Sequence, residues 1–426
     1  MAAPHYVAGI DFDPAVRQDA YDVMARLIEH YRNKSTDQAQ DQWREPVRNY
    51  GDPDLWEREI KEVFRTVPLP LAMSCELPEP GTYKAIDVAG TPVVITRDPG
   101  GSVRAMINVC RHRGSELVAE GTGRAHRLTC PYHAWSYDLN GRLVVAQQMP
   151  EPFERDRLSL KSLAVRVVDG LIFTTFAGRP LDFAPAEAAL ARSAHVHGWG
   201  KAKVAHRELY SIKANWKLAI ENYMECYHCK PAHPEFSRRH VYARPAKQVE
   251  ELEKAGRRRA EALGIFIADL DGYGCAAPRG GESVSVFRSA LSDGVASATS
   301  DGQPIARLMG DFGDYDGNST YFDIGPLSDF LAYADHGVIY RFIPRAVQQT
   351  EMEVLWLVHE DAIEGKDYDL ERLTWLWNTT SAEDKKIVEA NQAGVNSRYF
   401  VPGPYSLQEP FARRFVEWYL SELAAG

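Results

Sequence analysis

The sequence predicts an α+β protein in which a small all-β unit precedes a larger unit of mixed helices and strands. Short β-type runs separated by turn residues fill residues 82–176, helical and strand-like patterns then mix, and residues 369–392 form one long patterned helix.

Residues 13–32 carry Val16, Ala20, Val23, Met24, Leu27 and Ile28 on one side, behind Asp13-Pro14, which predicts an amphipathic packing helix. The polar stretch 34–42 reads as a linker, so a boundary is expected near residue 40, and Pro53-Asp54-Leu55-Trp56 then opens a short helix reaching residue 64. The β-type runs are 83–88, 91–97, 103–109, 126–130, 134–137, 143–146, 164–168 and 171–176. Ala89-Gly90, Asp98-Pro99-Gly100-Gly101, Asn140-Gly141 and Asp169-Gly170 supply turns between them. Beyond Ala177-Gly178-Arg179-Pro180, residues 181–191 read as helix and 205–212 as strand. Residues 249–263 read as a charged, solvated helix and 287–302 as a surface excursion, after which 321–323, 337–343 and 351–358 alternate as strands do.

Composition narrows the function classes. The formal charge of -10 argues against a nucleic-acid binder, and 45% hydrophobic with 25% charged residues describes an ordinary globular chain. No apolar run reaches the roughly 18 residues needed to span a bilayer, and the first residues lack a signal-peptide pattern, so a cytoplasmic, soluble protein without a membrane partner is expected. Six cysteines are too sparse for a disulfide scaffold; those near histidines are read as ligand candidates.

Two stretches carry metal chemistry. Cys110-Arg111-His112 and, after seventeen intervening residues, Cys130-Pro131-Tyr132-His133 offer one thiol and one imidazole on each of two loops. A zinc ribbon is one reading, but zinc fingers place both cysteines first. The interleaved order suits a Rieske [2Fe-2S] centre, with two cysteines on one iron and two histidines on the other.

The second stretch is Glu221 to Pro234. If residues 213–228 are helical, Glu221, Asn222, Glu225 and His228 share a sector roughly 120° wide. Pro231 ends the helix, so the chain can swing His233 back towards His228. Two imidazoles with a carboxylate suit Fe(II) or Zn(II), and open positions favour non-haem iron. A third ligand is expected from the late helix. There Asp384 falls near the centre of a stripe containing Leu373, Trp377, Thr380, Ile387, Val388 and Asn391, whereas Glu383, Lys385, Lys386 and Glu389 point elsewhere. The alternative is an Asp384 satisfied by an arginine or a backbone donor.

Taken together, the Cys-x-His and Cys-x2-His pairs, Asn215-Trp216-Lys217 leading into Glu225-x2-His228-x4-His233, and Asp384 resemble the terminal oxygenase alpha subunits of Rieske non-haem iron oxygenases. The resemblance implies a helical segment at 1–40 packing on the catalytic unit, an all-β Rieske domain at 41–180, and a helix-grip catalytic domain at 181–426 with an antiparallel sheet flanked by helices. It implies a cluster at Cys110, His112, Cys130 and His133, and mononuclear Fe(II) at His228, His233 and Asp384. It also implies an α3 homotrimer in which the cluster of one subunit serves the iron of its neighbour. Electrons would come from NAD(P)H through a separate flavin and iron-sulfur reductase. Arg111, Arg113, Arg124 and Arg127 around the cluster motif either offer an acidic reductase a docking patch or are solvated loop charges.

One departure is informative: the bridging carboxylate, usually aspartate in the family, is Glu225 here. Family members resembling this variant, with Glu-Cys-Tyr-His-Cys around the first iron histidine, include oxygenases that hydroxylate or demethylate quaternary ammonium compounds such as glycine betaine, stachydrine, choline and carnitine. The expected reaction is therefore O2-dependent hydroxylation or N-demethylation of a small betaine-type molecule, with an aromatic-ring oxygenase acting on an aromatic acid as the alternative.

Overall fold

The computed structural model describes residues 44–150, 152–178, 184–191, 193–267 and 284–425. The expected helix at 13–32, the linker at 34–42, the packing role given to 1–40 and Cys275 lie outside them.

The first unit is a seven-stranded antiparallel sheet in the order β1-β10-β9-β4-β3-β2-β5. Its strands are β1 (Leu69–Met73), β2 (Thr82–Val88), β3 (Thr91–Arg97), β4 (Val103–Ile107), β5 (Gly121–Arg124), β9 (Ser162–Val168) and β10 (Leu171–Thr175). A three-stranded sheet of β6 (Leu128–Thr129), β7 (Ser136–Tyr137) and β8 (Leu143–Val145) sits beside it. The predicted turns lie between these strands. Ala89-Gly90 and Asp169-Gly170 take positive φ at both residues, the two-residue geometry that follows strand twist. Asp98 closes its turn by accepting from the Gly100 and Ser102 amides, and Asp138 does the same for Asn140 and Arg142.

The second unit holds a six-stranded antiparallel sheet, β11-β16-β15-β14-β13-β12. These strands are β11 (Ala202–Ile212), β12 (Val284–Ala290), β13 (Asn318–Ile324), β14 (Ser328–Ala332), β15 (Gly337–Ala346) and β16 (Gln349–His359). Strand β12 corrects the reading of 287–302 as a surface excursion, because its residues pair in full register with β13 and its core side chains are buried. The helices are α1 (Pro53–Glu59), α2 (Ala184–Ala191), α3 (Trp216–Tyr223), α4 (Cys229–Ala232), α5 (Pro234–Arg239), α6 (Ala246–Ala262), α7 (Leu370–Val395) and α8 (Pro410–Ala425). No described helix is long and apolar enough to cross a membrane.

A buried ionic network ties the two units together. Lys84 of β2 pairs with Glu76 and, at 3.0 Å, with Glu353 of β16; Arg341 of β15 pairs with Glu353 and, at 3.1 Å, with Glu76. Arg207 of β11 reaches Glu353 at 2.5 Å. All but Arg207 are almost fully buried, so each charge depends on the others for solvation. Gly170 comes so close to Trp199 and Gly200 that a Cβ would meet their backbone at 2.8–2.9 Å.

Candidate metal centres

Two loops of the same shape hold the four expected cluster residues. The Cys110 amide donates to Ser115 O and the Gly114 amide returns to Cys110 O; in parallel, Cys130 donates to Trp135 O and Ala134 returns to Cys130 O. In both loops the fifth residue has positive φ, 79° at Gly114 and 56° at Ala134. The loops bury Cys110 and Cys130 and leave His112 and His133 exposed at the tips, their ring centroids 4.8 Å apart.

Burial opposes ionisation of Cys130, but the Tyr132 and His133 amides and its neighbours Cys110 and Ser115 hold its thiol below the usual value. Tyr137 places its hydroxyl 3.4 Å from Cys110 Sγ. His112 stacks on Trp135, and Tyr132 on His133. Inward thiols surrounded by donors, with paired imidazoles at the rim, fit a [2Fe-2S] group held through both sulfurs and both histidines.

The second centre forms where α3 breaks. Asn215 caps α3 by accepting from the Lys217 amide at 3.1 Å, and its own amide donates to Gln392 of α7 at 2.8 Å. Trp216 Nε1 donates to Glu59 at 2.8 Å and Lys217 pairs with Glu59, so Asn215-Trp216-Lys217 anchors the helix on both sides.

The helix does not continue to His228 as the periodicity predicts; it ends at Tyr223. Beyond it, Glu225 Oε2 takes the Tyr227 and His228 amides, which a continuing helix would give to carbonyls four residues earlier. Cys226 and Cys229 form a disulfide, with Cα atoms 4.8 Å apart, which corrects their reading as ligand candidates. Glu221 also departs from the shared polar face. It turns the other way, accepting from Tyr50 at 3.0 Å and Tyr405 at 2.6 Å, and burial pushes its carboxyl up to about 8.

The structure brings His228, His233 and Asp384 together, with one ligand atom of each within 4.8 Å of the others. Asp384 Oδ1 lies 2.8 Å from His233 Nε2 and 3.3 Å from His228 Nε2. The opposite nitrogens are also engaged: His228 Nδ1 lies 2.5 Å from Glu225 Oε1, and His233 Nδ1 lies 2.7 Å from Glu383 Oε2. Glu383 therefore does not point elsewhere. His233 returns beside α7 on the short α4–α5 turn, within reach of two adjacent carboxylates. Burial works against charge on both histidines, yet these carboxylates outweigh it, raising His228 to about 9 and His233 above its ordinary value. Two imidazoles, each oriented by a second carboxylate, fit a divalent iron site with positions left open.

A cavity of about 430 Å³ adjoins this cluster. Phe236, Tyr242, Phe287, Tyr321, Trp377 and Phe411 form its aromatic walls, and Asp323 also lines it. Among the described residues, no lysine or arginine does so. Sequence reasoning did not identify these residues. The one local signal was the i, i+2 alternation of Tyr321 and Asp323, together with Trp377 two helical turns before Asp384.

Comparison with known proteins agrees with this architecture. The family model for the ring hydroxylating alpha subunit (catalytic domain) matches residues 199–425, and that for the Rieske [2Fe-2S] domain matches residues 67–164. The chain is 36% identical over 383 residues to the glycine betaine monooxygenase oxygenase subunit of Chromohalobacter salexigens, covering 88% of this chain and 84% of that protein. It is 37% identical over 202 residues to the carnitine monooxygenase oxygenase subunit of Acinetobacter baumannii, covering 46% of this chain and 54% of that protein. A solved quaternary ammonium Rieske monooxygenase, described for carnitine oxidation and inter-subunit electron transfer, superposes with a TM-score of 0.67 at 23% identity. That superposition covers 90% of this chain and 95% of the other and speaks for the fold alone.

Proposed function

The chain belongs to the Rieske-type ring-hydroxylating oxygenase alpha subunits, and from that premise we propose that it oxidises a small quaternary ammonium compound of the betaine type. The observation that carries this reading is the aromatic cavity beside His228, His233 and Asp384, which offers ring faces and carboxylates but no described lysine or arginine. A cation without N–H donors is held well by such walls. Both substrate classes bring a carboxylate, but only a betaine also brings a positive charge to set against Glu225, Asp323 and Asp384, which favours it over an aromatic acid.

In this reading, residues 41–180 carry the cluster on Cys110, His112, Cys130 and His133, and 181–426 carry Fe(II) on His228, His233 and Asp384. The bound metals supply electron delivery and dioxygen activation. The protein's own part is positioning: Glu225 and Glu383 fix the tautomer and tilt of the two imidazoles, while the aromatic walls present an N-methyl group and exclude water. One oxygen atom enters a methyl C–H bond and the other leaves as water, using an electron pair and two protons. The carbinol then loses formaldehyde and a proton, leaving the tertiary amine.

The electrons come, in the same reading, from a separate NAD(P)H-dependent reductase in the cytoplasm. The working form is an α3 homotrimer. The exposed cluster histidines and Tyr132, 55% exposed, support covering by another chain, with Glu225 meeting a cluster histidine of the adjacent subunit.

The test is reductase-coupled oxygen consumption against glycine betaine, carnitine and a panel of aromatic acids, with formaldehyde assayed in parallel. Formaldehyde release in step with betaine-dependent oxygen uptake is expected. Coupled uptake with an aromatic acid and no formaldehyde from any betaine would overturn the reading.

A further inference from the structure

The sheet wall of the cavity contains a pairing that strand chemistry ordinarily avoids. Asp323 of β13 stands directly opposite Asp329 of β14, and like charges in that relation destabilise a sheet. Both are buried, at 8% and 2% exposure. Asp323 Oδ2 accepts from Ser285 Oγ at 2.8 Å, whereas Asp329 Oδ1 has no hydrogen-bond partner. No described lysine or arginine pairs with either. The nearest guanidinium on the facing strand, Arg288, belongs to the opposite face by alternation and pairs with Asp316.

Alternation also places the acidic pair on the cavity side. Tyr321, two residues from Asp323, stacks on Phe287 with ring centroids 4.6 Å apart, and Phe287 stacks on Phe411. An aromatic step therefore runs directly into an acidic one along the same wall. Burial raises both carboxyls above their ordinary range, and Asp323 adds to the rise at Asp329, as expected of two acids lacking a counter-ion. The two carboxyls hydrogen-bond to each other, which favours the protonated form at Asp329 and the ionised form at Asp323. The negative charge the pair retains therefore sits on the cavity-lining Asp323 with no described lysine or arginine beside it, where a positive group brought by the ligand would balance it.

We infer that Asp323, backed by Asp329, is the counter-charge that selects the ammonium group of the substrate, with Phe287 and Tyr321 packing its methyl groups. The inference rests on the betaine reading and names the residues that make the pocket prefer a cation to a neutral group of the same shape.

The probes are glycine betaine and 3,3-dimethylbutanoate, which replaces the ammonium nitrogen by carbon and is otherwise isosteric. Their binding to the metal-loaded enzyme is measured by anaerobic calorimetry for wild type, Asp323→Asn and Asp329→Asn. Wild type is expected to prefer betaine, and Asp323→Asn to lower that preference roughly tenfold or more. Asp329→Asn replaces the proton-sharing carboxyl by a neutral amide, so it should fold at least as well as wild type and lower the preference less. An unchanged preference in Asp323→Asn overturns this inference while the betaine reading stands. A wild type that binds both probes equally overturns both. If Asp323→Asn does not fold, Asp329→Asn decides: a preference identical to wild type is evidence against the pair, and a reduced one supports it.

Discussion

Glu383 Oε2 lies 2.7 Å from His233 Nδ1, so this imidazole is held from behind by one residue of α7 and faced by the next, Asp384. The two carboxylates have separable roles. Glu383→Gln is expected to weaken mononuclear iron binding by about 10–100-fold, because outer partners tune ligand basicity and orientation. Asp384→Ala is expected to lose that iron altogether. Chelator competition and iron analysis measure both effects, and the Rieske paramagnetic resonance signal should persist in each variant. Full iron retention in Asp384→Ala would show that the wrong carboxylate was assigned.

Glu225→Gln preserves shape and removes charge beside His228. With iron supplied in excess to offset the looser hold on His228, both metal centres should be loaded while reductase-coupled turnover falls by at least an order of magnitude. The check is rapid mixing of cluster-reduced enzyme with substrate and dioxygen. The cluster should stay reduced in the variant and reoxidise in wild type.

Glu221 produces a pH dependence of stability. Folded, it keeps its proton up to about 8, against an ordinary value of 4.5. Between those values the native state binds more protons than the unfolded chain, so stability falls as pH rises and the loss is complete above the upper value. Glu221→Gln removes this titration. The variant should gain on wild type between pH 5 and pH 8.5, by on the order of a few kcal/mol, in denaturant titrations at each pH. Parallel curves would refute the assignment.

Lys84 sits between two buried carboxylates, and Lys84→Met should cost up to about 3–5 kcal/mol by removing a cation that Glu76 and Glu353 share, leaving them to Arg341 and Arg207. Burial opposes ionisation of Glu353, but Lys84, Arg341 and Arg207 hold it well below the usual carboxylate range. Its stabilisation is therefore present above about 4.5, the ordinary value, and is lost as pH falls towards the folded one. Wild type should lose stability more steeply than the variant in acid unfolding followed by circular dichroism.

What the sequence made legible was local. Paired turn residues located the hairpins of the first sheet, and the late helix was evident from its own stripe. The metal-binding candidates stood out because Cys110 to His133 and Glu225 to His233 are short motifs. Strand β1 was missed because Pro70 interrupts an otherwise apolar run, and β5 because two of its residues are glycine. Helix α3 was drawn too long because periodicity does not register a side chain capturing the next amides, as Glu225 does. Glu383 was misdirected by ideal helical pitch, which ignores the reach of a long side chain towards a returning turn. The cavity was illegible for a different reason: Phe287, Tyr321, Trp377 and Phe411 meet only through strand register and helix docking.

Glu225 closes its own turn and holds His228 within a single chain. Its rotamer is thus selected before any neighbour arrives, and little side-chain entropy remains to be lost on contact. In the proposed trimer an adjoining subunit would meet a preorganised acceptor, so assembly would act on the proposed relay between the metal centres mainly through placement of the incoming histidine.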